Sequence, residues 1–199
     1  MLNSDKPVMI CRFGNTELSK IVELSKILNK KTKYDRERFF LLKDYSGFFP
    51  INFKNLKKFH DLYLSDIKYI DLLACWTPQE LYFKKDLSSI KKILLNDLSP
   101  WRHKDPWSKV LKGKKVLVIH PFTKSIKKQY KIREKLFNDK NVLPKFKLKT
   151  LKAEQTLGGE STKFKDWFEA LEYMKSEINE IDFDIAIIGC GAYGLPLAA

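Results

Sequence analysis

The chain has 199 residues, 44% of them hydrophobic, and a mean hydropathy of −0.35. That length suits one domain burying about 70% of its unfolded surface, and the hydropathy excludes a polytopic membrane protein. A formal charge of +14 points to anionic partners such as phosphates or anionic lipid surfaces.

Met1 to Lys6 lacks the basic-then-apolar pattern of a secretory leader. Val8 to Cys11 is an uninterrupted apolar run, the pattern of a strand covered on both faces. Gly14 permits backbone angles that a Cβ resists, and Asn15 is a good helix N-cap. Leu18, Ile21, Val22 and Leu28 then share one helical face. This strand-to-helix corner carries a guanidinium (Arg12), an amide (Asn15) and a carboxylate (Glu17), and ligands of open α/β sheets sit at such corners. Lys30 to Arg38 reads as a basic connection and Asp44 to Pro50 as an aromatic loop. Leu56, Phe59, Tyr63 and Ile67 predict a helix over 53–67, with His60 just off its apolar face. Tyr69 to Trp76 reads as a strand, and Pro78 opens a short helix holding Gln79, Glu80 and Leu81. Ser88 to Leu98 has a helical pattern. The stretch from Leu98 to Trp107, with two prolines and two tryptophans, reads as a linker.

In the second half, Val116 to Ile119 is β-branched and continuous, as in a central parallel strand, and ends at His120. Thr123 or Ser125 is expected to cap a helix running to about Phe137. Lys124, Lys127 and Lys128 beside its first amides would make a phosphate seat. Lys147 to Ala153 alternates like a strand with one solvated face. Gly158-Gly159 breaks the chain, and Ser161 or Thr162 starts the next helix. The stripe Phe164, Trp167, Phe168, Leu171, Met174 and Ile178 assigns that helix to the core. Phe183 to Ile188 is the last strand, followed by Gly189-Cys190-Gly191-Ala192-Tyr193-Gly194, a literal G-x-G-x-x-G. Cys11, Cys75 and Cys190 are odd in number and far apart. They read as small buried hydrophobes in a reducing compartment rather than a disulfide or zinc framework.

The alternation of strands and helices predicts an α/β fold, Rossmann-like, with a largely parallel sheet and helices on both faces. The strands at Val8–Cys11, Val116–His120 and Ile185–Ile188 are expected as neighbours in one sheet, their carboxyl ends on one side. That arrangement would gather Arg12, Gly14, Thr123, Ser125, Gly189, Gly191 and Gly194 around a pyrophosphate. His120 is the candidate catalytic base.

Arg12-Phe13-Gly14-Asn15-Thr16-Glu17-Leu18 resembles the Arg-Phe-Gly-Asp-x-Glu signature of bacterial glycosyltransferases with the GT-D type fold. Lys114 to Phe122 and Phe183 to Leu197 are similar to a related group found with surface-polysaccharide genes. The resemblance implies transfer of a sugar from a nucleotide-sugar donor to a glycan or lipid-linked acceptor. It also implies a metal role for Asn15 and Glu17, because Asp-x-Glu is that family's metal-linked element. Asn15 offers a neutral oxygen where the family has a carboxylate, so binding of a divalent cation (Mn or Mg) is expected to be weakened. Members of the resembled group continue past Ala199, which implies a single α/β domain over 1–199, truncated at its C-terminus. The implied location is cytoplasmic, with peripheral contact at the anionic inner face of the plasma membrane. Two other readings of the residues stand beside this one. The first is an NAD(P)- or flavin-binding oxidoreductase using the Gly189–Gly194 loop, and the second a non-catalytic basic module for anionic polymer or membrane surfaces. Motifs for specific nucleic-acid recognition are absent from the sequence.

Overall fold

The computed structural model describes residues 6–159 and 162–199. The leader reading at the first five residues and Ser161 as a helix start therefore lie outside the described residues. Six short strands form two three-stranded sheets, every pairing parallel. The first sheet holds β1 (Ile10–Cys11), β2 (Leu72–Cys75) and β3 (Lys91–Leu94), in the order β1-β2-β3. The second holds β4 (Lys115–Ile119), β5 (Lys147–Leu151) and β6 (Ile185–Ile188), in the order β5-β4-β6. Helices follow in α/β, Rossmann-like alternation: α1 (Asn15–Leu28), α2 (Phe40–Ser46), α3 (Phe53–Asp66), α4 (Thr123–Lys131), α5 (Trp167–Asn179) and α6 (Gly194–Ala198). Among the described residues no helix is long and apolar enough to cross a membrane.

The expectation of one sheet joining the three apolar strands is half right. β4 and β6 are neighbours, with Val116 opposite Ile185 and Ile119 opposite Ile188. β1 belongs instead to the other sheet, where Ile10 faces Leu72 and Cys11 faces Leu73. The Asp71 carboxylate fixes this pairing by accepting the Met9 N–H at 2.8 Å. An apolar run reports burial but carries no information about which strand lies beside it.

Three local readings are corrected. Ser88 to Leu98 is not a helix: Lys91–Leu94 pair with β2 as an edge strand, and a 3₁₀ turn takes Leu95–Leu98. The open edge of β2 supplies ladder bonds that outweigh a weak helical period, and lysines suit an exposed edge. The supposed loop from Asp44 begins only at Gly47, which ends α2 in the left-handed region at φ 73°. The helix after His120 stops at Lys131, short of Phe137, and Phe122 rather than Thr123 or Ser125 takes its N-cap, without a side-chain bond.

One hydrophobic cluster draws on both sheets, including Phe13, Leu18 and Phe59 from the first half and Leu117, Ile119 and Ala192 from the second. Trp167 sits at its centre, fully buried. Its ring lies 5.1 Å from Phe59, 5.4 Å from Phe48 and, stacked, 4.9 Å from Tyr193. His60 is buried on α3 with Nε2 2.8 Å from the Ser25 hydroxyl of α1.

Asp66, at the end of α3, is an exception in this core. It is buried and its Oδ2 has no partner. Burial raises its carboxyl above the ordinary 3.8, against weaker lowering by the Ser65 hydroxyl, Lys175 and Lys68. Folded Asp66 thus holds its proton to higher pH than the unfolded chain does. Its contribution is favourable below 3.8 and is lost as pH rises through the raised value. Asp66→Asn should therefore be at least as stable as the natural chain at pH 7, with that advantage shrinking as urea titrations are taken down towards pH 4. A stability difference that does not change with pH would contradict this.

Candidate functional site

The corner after β1 is built by a glycine. Gly14, at φ −71° and ψ 132°, is the N-cap of α1, and Asn15 is the first helical residue, exposed and without a capping role. The correction follows from Glu17, whose side chain folds back over Gly14. A Cβ at residue 14 would lie 1.9 Å from Glu17 Oε2. Glu17 is only 8% exposed, yet its carboxylate makes no hydrogen bond and no ion pair among the described residues. The α1 amides and dipole favour a negative charge in this first turn. The Glu17 oxygens are not closed off from solvent, so the corner presents a carboxylate that a cation or ligand donor can reach.

Arg12 precedes this carboxylate and does not pair with it. Its guanidinium is exposed, with Nη1 3.4 Å from the Phe13 carbonyl and its carbon 5.7 Å from the centre of the Trp76 ring. Trp76 follows β2, and its indole N–H donates to the Phe13 carbonyl at 2.8 Å. That bond clips the ends of β1 and β2 together and leaves the indole 43% exposed. Glu80 holds the loop beneath: its Oε1 accepts the N–H of Trp76 at 3.1 Å and of Thr77 at 3.2 Å. Sequence reasoning placed Glu80 on its short helix, a 3₁₀ turn over Pro78–Phe83, but gave neither it nor Trp76 a part in the site. The signal was legible as Thr77-Pro78-Gln79-Glu80, a capping box with proline at its first helical position.

The three thiols beside these carboxylates are protonated at neutral pH. Burial, then the Glu80 carboxylate, pushes Cys11 up to about 12 and Cys75 up to about 11. Burial, then Glu17, pushes Cys190 up to about 12. Thiolate nucleophiles need the opposite environment. The Glu17 influence on Cys190 also shows that the loop after β6 lies beside the β1 corner although the two strands belong to different sheets.

A cavity of about 210 Å³ opens at the carboxyl ends of the second sheet. His120, Phe122, Glu154, Gly189, Cys190 and Tyr193 contribute to its wall. His120 Nδ1 accepts the Phe122 N–H at 3.0 Å. A neutral ring in that bond carries its proton on Nε2, which becomes a donor. For His120 to take a proton as a base, the Phe122 bond would have to break. The ring also leans on Gly189, where a Cβ would meet Cδ2 at 3.0 Å.

The structure thus brings Arg12, Gly14 and Glu17 together and joins His120 to Gly189 and Gly191 around the cavity. It leaves Thr123 and Ser125 on α4 outside the cavity wall, and Gly194 at the start of the five-residue α6. Gly191 has a packing reason for being glycine: at φ 59° its Cβ would lie 2.9 Å from the Ser46 carbonyl of α2. Among the described residues no three His, Cys, Asp or Glu side chains converge. One carboxylate with water and substrate phosphates is a usual way to hold magnesium, and Glu17 is the charged oxygen donor this corner offers. No family model, curated protein or solved structure matches the chain.

Proposed function

We propose that the protein is a glycosyltransferase that moves a sugar from a nucleotide-sugar donor to a glycan or glycoconjugate acceptor in surface-polysaccharide synthesis. The observation that carries this reading is the β1 corner, with a Glu17 carboxylate and an exposed Arg12 that each lack an ion pair among the described residues. A guanidinium fork matches two phosphate oxygens of a donor pyrophosphate. Glu17 and the Asn15 carbonyl would hold a divalent cation, which supplies charge neutralisation as the nucleoside diphosphate leaves. The exposed Trp76 face beside Arg12 offers a platform for a flat base. The dinucleotide reading of the Gly189–Gly194 loop has less support, because Gly189 and Gly191 each answer a close contact within the protein. Peripheral membrane contact through the basic surface remains part of the proposal, since a lipid-linked acceptor would sit there.

Arg12→Lys tests the reading. The exposed side chain makes no ion pair among the described residues, so the melting temperature should hold. Affinity for a panel of nucleotide-sugars, measured by calorimetry with manganese present, should fall by about 1–3 kcal/mol, the scale of a lost charge-assisted bond. A falling melting temperature with unchanged affinity would remove Arg12 from the donor site.

A further inference from the structure

We infer that the cavity at the end of the second sheet is a subsite for a single neutral pyranose. The argument starts from charge. The chain carries +14, yet no lysine or arginine lines this cavity among the described residues, and its one charged wall residue is Glu154. A phosphate or pyrophosphate entering there would meet a carboxylate and no cation. Lys124, Lys127 and Lys128, expected to seat a phosphate at the start of α4, are not part of this wall.

The polar groups suit hydroxyls instead. Ser46 and Tyr193 both border the cavity, but each is at least 98% buried and their hydroxyls are closed off from it. Thr156 donates its own hydroxyl to the Gly47 carbonyl at 2.5 Å and lies beside the Tyr193 hydroxyl. The groups open to the cavity are a histidine donor at Nε2, a carboxylate acceptor and the Gln155 amide, which form an alternating donor and acceptor set. Sugar hydroxyls, each both donor and acceptor, are matched by such a set. Aromatic surface completes it: Tyr45 and Phe122, also in the wall, are 70% and 59% exposed. Exposed aromatic faces at a cavity mouth are what the C–H face of a pyranose packs against. The volume, about 210 Å³, falls below the ~300–1,000 Å³ of drug-sized sites and admits one ring rather than a chain of them. Calling that ring the acceptor rests on the glycosyl-transfer reading above, whereas the cavity's chemistry does not.

The test is saturation-transfer NMR on the full chain with methyl glycosides of glucose, galactose, rhamnose and N-acetylglucosamine, and with inorganic phosphate as the control. At least one glycoside should bind and phosphate should not. Phe122→Ala and Glu154→Gln should each weaken the bound glycoside at least fivefold. Tyr193→Phe is the control: its hydroxyl is closed off from the cavity, so glycoside affinity should be unchanged. Absence of binding by every glycoside, or binding that survives both Phe122→Ala and Glu154→Gln, overturns the subsite. Nucleotide-sugar binding is measured separately on Arg12→Lys. Glycosides that bind a chain indifferent to nucleotide-sugars would support the subsite and sink the transferase reading, and the converse would do the reverse.

Discussion

Glu17→Gln is expected to slow release of nucleoside diphosphate from the preferred nucleotide-sugar by about 10²–10³-fold, the scale of removing one group that stabilises developing charge. The same variant should melt at or above the temperature of the natural chain. Glu17 is 8% exposed and its carboxylate has no hydrogen bond or ion pair among the described residues, and an amide is less costly to bury than a charge. The loss of a favourable interaction with the α1 dipole, about 0.3–1 kcal/mol, opposes this gain without exceeding it. Gly14→Ala provides a second route to the same result. Its φ of −71° suits alanine, but the new Cβ 1.9 Å from Oε2 must push the carboxylate away. Transfer should fall while the fold survives. Asn15→Asp, adding a charged oxygen, should tighten the manganese requirement of the same reaction. Full activity in Glu17→Gln together with a lowered melting temperature would make Glu17 a structural residue only.

The second large effect concerns stability. Gly191→Ala should destabilise the chain by about 2–5 kcal/mol, combining ~1–2 for an alanine in the left-handed region with ~1–3 for overpacking. The contact at 2.9 Å is with the Ser46 carbonyl, and backbone cannot swing aside as a long side chain can. Gly113→Ala separates the two terms, since that glycine has φ 76° but open space around it. It should lose about 1–2 kcal/mol, the backbone part alone. Urea midpoints with unchanged slopes would measure both. Equal losses at the two positions would show that the Ser46 contact relaxes freely.

Much of this architecture was legible from the residues. The helices over 15–28 and 53–66 followed from their apolar spacing, and the central position of β4 from its continuous β-branched run. The linker with two tryptophans falls between the two sheets, where Trp107 donates its indole N–H to the Leu98 carbonyl at 3.1 Å. The split into two sheets was not legible, because strand partners are chosen by the folded whole. Arg12 and Glu17 could be nominated from their corner, but not the geometry that separates them, since only the fold of Glu17 over Gly14 reveals it. Trp76 was missed because an aromatic at a strand end reads first as core. The cavity walled by Tyr45, His120, Glu154 and Gly189 was invisible, because it joins segments far apart in the sequence.

Trp167 also has a bearing on how the chain emerges during synthesis. All three strands of the first sheet are complete by Leu94, but Phe48 and Phe59 are covered by Trp167. At ~5–20 residues per second, the ribosome needs roughly 4–15 s to reach Trp167 from that point. During this interval the nascent first half presents an uncovered aromatic face, a natural target for chaperones that hold apolar surface. The indole that closes the core late is also the signal that it has closed, because its emission reports burial that no earlier segment of the chain can give.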